Sequence, residues 1–171
     1  MGWNARRAAE KDVESLIEIG SDYFNWDFIC LQEYITHGQK DPIYTYFGAE
    51  NHLLVTAPSV GSRGSCAILV HKDWASSNNT VRFNEAGISL EFDDFVIASC
   101  HLPHDGHGKE AFDKALAQME ILTKPECEVN KNKKKKQSLC SVDANCEPWE
   151  PCKKEKYRDG VEVFGPEAKT Y

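Results

Sequence analysis

Nowhere in these 171 residues does an apolar run approach the ~20 that a membrane-spanning helix requires, so no such span is expected. The opening Met1-Gly2-Trp3-Asn4-Ala5-Arg6 lacks the basic-then-apolar pattern of a secretory signal. Arg6 also stands where an N-myristoylation sequence needs Ser or Thr. The cysteines include no close Cys-x₂₋₄-Cys pair of the kind that structural zinc uses. Their odd number, 7, favours reduced thiols inside a cell over a disulfide framework. Gly-x-Ser-x-Gly is absent, which removes the turn that presents a serine hydrolase nucleophile. Positive charge is in deficit, with 20 Lys and Arg against 27 Asp and Glu, a net charge of −7 and a pI near 5.4. Global charge therefore does not hold this chain to nucleic acid. The same balance leaves room for an enzyme that meets phosphates through a divalent cation. No internal repeat is present.

The length suits one domain with a sizeable core, and 41% hydrophobic with 27% charged residues is a globular composition. Residues 5–19 carry Ala9, Val13, Leu16 and Ile17 at helical spacing, with Gly20 as the expected stop. Phe28 to Leu31 follows as a short buried strand. Asp41-Pro42 and Gly48 suggest a loop, and residues 52–56 a strand. Gly61 and Gly64 mark a turn before Cys66-Ala67-Ile68-Leu69-Val70, the clearest buried strand. Residues 81–83, 88–92 and 95–100 read as three more, with Asp93-Asp94 as a hairpin turn. Ile88, Leu90 and Phe92 alternate with Ser89 and Glu91, which predicts one face in water. Gly106-His107-Gly108 opens a second helix with Phe112, Ala115, Leu116, Met119 and Leu122 as its buried stripe and Pro125 at its end. Residues 126–137, with Lys133, Lys134, Lys135 and Lys136, read as a solvated, disordered insertion. Weak strand character returns over 138–145, and residues 148–171 read as an irregular tail in which Val161 to Phe164 is one more short strand.

Four polar stations punctuate this pattern: Asn4, Glu33 at the end of the first buried strand, His101 at the end of another, and Asp143 with Asn145. Strand ends are where a side chain can leave the core and meet a ligand. Phosphodiester hydrolysis needs a cation to neutralise charge on the phosphate oxygens, a group to present water, and donors to hold the phosphate in line. Glu33 and Asn4 supply the carboxylate and amide oxygens that Mg²⁺ prefers. Asp143 can orient the water. Asn145, two residues on, shares its strand face and can donate to a phosphate oxygen. His101 can donate to the phosphate or to the leaving oxygen. Alone, each station has a plainer reading as cap, turn or solvated residue.

In order, Trp3-Asn4, Ile29-Cys30-Leu31-Gln32-Glu33, Arg63-Gly64-Ser65-Cys66-Ala67-Ile68-Leu69, His101-Leu102-Pro103-His104 and Val142-Asp143-Ala144-Asn145 resemble the endonuclease/exonuclease/phosphatase superfamily. The non-LTR retrotransposon endonucleases are nearest in character. The resemblance implies an α/β fold of two packed, mainly antiparallel sheets flanked by helices, the four-layer deoxyribonuclease-like sandwich, over residues 3–147. It implies Mg²⁺ or Mn²⁺ at Asn4 and Glu33, catalysis by His101, Asp143 and Asn145, and DNA as the nucleic-acid partner. The chain departs from it in several places: only Met1, Gly2 and Trp3 stand where the family has an apolar first strand, the lysine run interrupts the approach to Asp143, Val142 replaces the family's Gly before Asp143, and no His follows His107. The expectation is therefore an incomplete copy of the domain, with activity low or absent, or a silent retroelement-derived fragment.

Other classes are weighed against that. Zinc at Cys140, Cys146 and Cys152 or at His101, His104 and His107 lacks the usual close pair. Lys133 to Lys136 could contact phosphates without catalysis or serve as a nuclear-import patch, yet no aromatic interleaves them for base stacking.

Overall fold

In the computed structural model, the described residues are 2–4, 10–23, 26–34, 40–47, 52–58, 65–103, 107–125 and 136–143. They form two β-sheets between two long helices. The first sheet has five strands in the order β1-β2-β5-β4-β3, with β1 Gly2–Asn4, β2 Phe28–Tyr34, β3 Ile43–Phe47, β4 His52–Thr56 and β5 Ser65–Val70. The second has four in the order β6-β7-β8-β9, with β6 Thr80–Asn84, β7 Gly87–Glu91, β8 Phe95–His101 and β9 Gln137–Asp143. Pairing is antiparallel except for β1 on β2 and β8 on β9.

Period-2 alternation sends each central strand's side chains to two different cores. From the first sheet, Ile29, Leu31, Leu54 and Leu69 pack outward against Val13, Leu16 and Ile17 of α1 (Glu10–Tyr23). Cys30, Val55, Ile68 and Val70 face inward and meet Ile88, Leu90 and Ile97 of the second sheet. On the far side, Ala98, Cys100 and Val142 pack against Leu116, Met119 and Leu122 of α3 (Gly108–Thr123). The result is four layers, helix–sheet–sheet–helix. Each fully buried Leu or Ile contributes roughly 1.5–3 kcal/mol, so these three cores are the main source of stability. At the β2 and β8 starts, Phe28, Phe92, Phe95 and Trp74 of the short helix α2 (Lys72–Ala75) close the sandwich with ring centroids 4.8–5.8 Å apart. Trp26, too, is a buried core residue. Polar groups stand near the far ends of β2, β8 and β9, at Glu33, His101 and Asp143.

Several expectations need correction. Gly20 does not stop the first helix, which continues to Tyr23; a glycine costs a helix only ~1 kcal/mol relative to Ala, and the apolar face docked on the sheet outweighs that. The segment after Asp41-Pro42 is strand β3 rather than loop, paired along its length with β4. Its alternation is weak because Tyr44 and Tyr46 are exposed. Ser89 and Glu91 do not face water: all of β7 is buried, because α3 covers the second face. The insertion does not extend to residue 137. Gln137 begins β9, and Lys136 is no solvated phosphate contact: its Nζ lies 2.7 Å from Glu91 Oε1 and 2.9 Å from the Phe92 carbonyl. A buried carboxylate demands cationic partners, and Glu91 takes Lys136 together with Arg82 at 3.4 Å. Lys133, Lys134, Lys135 and the tail at 148–171 lie outside the described residues.

Candidate metal centre

Sheet topology brings the stations together. The parallel pair β8–β9 places His101 directly beside Asp143 in register, and the Leu102 N–H donates to the Asp143 carbonyl at 2.9 Å. In β8, Ile97 and Ser99 face the first sheet, so His101 follows on that face. In β9, Cys140 and Val142 face α3, which leaves Ser141 and Asp143 on the inner side.

Glu33 reaches the same place by an irregularity. Leu31 pairs with Ala67 and Tyr34 with Ser65, so Gln32 and Glu33 together oppose the single residue Cys66. Such a bulge adds one residue and re-aims the side chains around it. Strict alternation would turn Glu33 outward with Leu31, towards α1. With the bulge, Leu31 and Tyr34 both stay in the outer core while Glu33 points to the inter-sheet space. The backbone takes a φ of 56° at Glu33, the one non-glycine residue with positive φ among those described. A left-handed conformation costs a non-glycine residue ~1–2 kcal/mol, and it is retained at the residue that carries the carboxylate.

One ligand atom from each of Glu33, His101 and Asp143 can be chosen so that all three lie within 4.8 Å of one another. His101 Nε2 is 3.9 Å from Glu33 Oε1, and both side chains are part-exposed, at 18% and 33%. Donors on one Mg²⁺ at ~2.1 Å sit at most ~4.2 Å apart. The group would hold a common ion after closing by a fraction of an ångström, or with water completing the shell. Two carboxylates fit a hard divalent cation, and the imidazole suits Mn²⁺ better than Mg²⁺ if it ligates directly. Coulomb repulsion between two carboxylates this close favours a cation between them.

Asn4 is placed by its backbone alone, at the end of β1 and paired in parallel with Gln32, the residue before Glu33. Its side chain, and the whole of Asn145, lie outside the described residues. Among those described, this trio is the group of His, Cys, Asp and Glu that could hold a metal. Cys140 lies on the α3 side of β9, away from the trio; Cys146, Cys152 and His104 are not among the described residues.

Sequence reasoning assigned no role to the polar seam behind the trio. Gln32, only 2% exposed, donates from Nε2 to Ser99 Oγ at 3.1 Å and to Ser141 Oγ at 3.3 Å. Ser99 Oγ donates in turn to the Leu31 carbonyl at 2.9 Å. Ser99 and Ser141 each stand two residues before a member of the trio, and Gln32 stands one before. One buried amide thus ties the three strands together just below the site. Gly2 of β1 packs against Ser141 so closely that an added Cβ would collide with its Oγ. The only signal in the sequence was the i−2 spacing of Ser99 from His101 and of Ser141 from Asp143.

Burial raises the Cys30 thiol to about 12 and pushes Cys66 up as well. The Cys140 side chain and then burial raise Cys100. These thiols are protonated, inert core residues and not metal ligands at neutral pH. No helix among the described residues is long and apolar enough to cross a membrane. Compared with models of protein families and with curated proteins, the chain matches none.

Proposed function

We propose that this chain hydrolyses phosphodiesters with the help of Mg²⁺ or Mn²⁺, with nucleic acid, DNA in particular, as its substrate. The observation that carries the reading is the convergence of Glu33, His101 and Asp143 from three strands. Their separation along the chain makes a shared local turn an insufficient explanation, and the bulge that keeps Leu31 and Tyr34 in the outer core also turns Glu33 inward at a positive φ. The cation, when bound, supplies charge neutralisation on the phosphate oxygens. Glu33 would hold that cation, with Asn4 at the adjoining strand end as its expected companion. Asp143 accepts a hydrogen bond from the attacking water and orients it. His101 donates from a ring N–H to a phosphate or leaving oxygen, and the Gln32 amide bonded to Ser99 and Ser141 keeps its strand from shifting. Asn145, two residues beyond Asp143, is the expected further phosphate donor.

The test is hydrolysis of single-stranded DNA, supercoiled plasmid and bis(4-nitrophenyl) phosphate by the purified chain, with Mg²⁺, Mn²⁺ or a chelator. Cation-dependent cleavage is expected, reduced about 10²–10⁴-fold by Asp143→Asn or His101→Ala and lost with Glu33→Gln. Absence of cleavage of all three substrates with either cation would overturn the reading.

A further inference from the structure

A cavity of about 470 Å³ opens beside the trio. It shares His101 with the trio, and its wall includes Ser65 and Cys66, the β5 residues that face the Glu33 bulge. The opposite walls are the β6–β7 hairpin, at Ala86 and Gly87, and the first half of α3, at Ala111 and Ala115. We propose that this cavity is a subsite for the uncharged sugar and base next to the scissile phosphate, so that the substrate is an unpaired nucleotide strand or a dinucleotide rather than intact duplex. The inference rests on the phosphodiesterase reading above and specifies its substrate.

Three observations argue for it. The volume falls in the ~300–1,000 Å³ range of small-ligand sites, enough for one nucleoside and too little for a duplex. Among the described lining residues the charges of Lys114 and Glu85 cancel: Lys114 Nζ and Glu85 Oε2 pair at 2.9 Å on the rim, and His101 and His107 are the remaining basic groups. That balance suits a substrate with one phosphate at the trio better than a polyphosphorylated one such as an inositol phosphate. The lining is also mixed. Small residues, Ala57, Ala86, Gly87 and Ala111, let a flat ring approach the backbone, and Ser65 and Gln118 bring a hydroxyl and an amide to the heterocycle's edge. An acyl chain would leave those polar groups without use. The wall is also well fixed: the Asn84 amide donates to the Gln118 carbonyl at 2.9 Å, and the Ala86 N–H donates to Asn84 Oδ1 at 2.9 Å.

The experiment compares the full chain with Ala111→Trp, which fills the cavity, and Ala111→Ser, which does not. Mn²⁺ affinity is measured first. Binding of the dinucleoside monophosphate TpT and of inositol trisphosphate is then measured with Ca²⁺ in place of the catalytic cation. Mn²⁺ affinity should be equal in all three proteins. Ala111→Trp should weaken TpT binding on the order of ten-fold or more, and Ala111→Ser should leave it unchanged. In the wild type, TpT should shift the amide resonances of Gly87, Ala111 and Ala115, a readout that stands even if the Trp variant fails to fold. TpT binding that ignores Ala111→Trp in a folded protein, or leaves those resonances unmoved, would overturn the subsite while the metal reading stands. Tighter binding of inositol trisphosphate than of TpT would overturn the neutral occupant. Failure of the wild type to bind Mn²⁺ would instead sink the metal reading itself.

Discussion

At the scale of single residues, the site depends on groups that do not touch a ligand. Gln32 is the clearest case. Replacing it with Leu removes donors to Ser99 and Ser141 and leaves buried oxygens less well satisfied, at a cost of about 1–3 kcal/mol. The same change should also weaken Mn²⁺ binding about 10–100-fold, the range seen when partners behind the ligands are lost. Calorimetric titration and a thermal melt check the two effects separately; a lowered melting temperature with unchanged Mn²⁺ affinity would assign Gln32 a structural role only. Glu33 behaves differently. Glu33→Gln keeps the shape and removes one of two neighbouring negative charges, so the metal-free variant should melt no lower than the wild type. A saturating cation, at ~100 times its dissociation constant, should stabilise the wild type by ~2.7 kcal/mol and the variant much less. Melting curves with and without chelator show whether the two respond in this opposite way.

At the scale of elements, the C-terminus of α3 and the buried Glu91 share a partner. Arg82 Nη1 and Nη2 donate to the carbonyls of Ile121, Leu122 and Lys124, which are left without intrahelical donors where α3 ends. The same guanidinium lies 3.4 Å from Glu91. Arg82→Ala should therefore cost about 2–4 kcal/mol in a denaturant melt. The pair Arg82→Met with Glu91→Gln should cost less than the single change, because the neutral amide no longer needs a second cation and its oxygen still accepts from Lys136. This cluster also explains why Lys136 misled as part of a lysine run. Composition treats neighbouring lysines alike, and only the fold brings Glu91 across to one of them.

Across the whole molecule, the core between the sheets and the core under α3 are dry enough to hold thiols in their protonated form. Cys30 titrates at about 12 in the fold, against an ordinary value of 9.0. A folded value raised above the unfolded one contributes stability that is complete below pH 9 and is lost as pH climbs towards 12. Thermal melts should accordingly be flat with respect to these thiols at neutral pH and fall in the alkaline range. Cys30, Cys66 and Cys100 should escape alkylation at pH 8 until the chain unfolds, as peptide mass mapping would reveal; rapid labelling of Cys30 in the native protein would contradict the packing between the sheets.

What the amino-acid pattern determined unaided was local or periodic: the buried strands from Cys66 to Val70 and from Phe95 to Cys100, the Asp93-Asp94 turn, and the stripe of α3 from Phe112 to Leu122. Each follows from side-chain spacing along one element, and that spacing is visible in the string. The residue types at the strand ends, Glu33, His101 and Asp143, were legible too, because carboxylate and imidazole chemistry is a property of single side chains. Only the tertiary structure decided that these three meet. Their meeting depends on which strands pair in parallel, on a one-residue bulge that turns Glu33 inward, and on an amide reaching from one sheet to the other. It also decided that Ser89 and Glu91 are buried, since a strand's alternation reports one covered face and cannot report a helix laid across the second. The physical reason is the same throughout: periodicity is encoded over a few neighbouring residues, whereas the site is held by contacts between residues 67 to 109 positions apart.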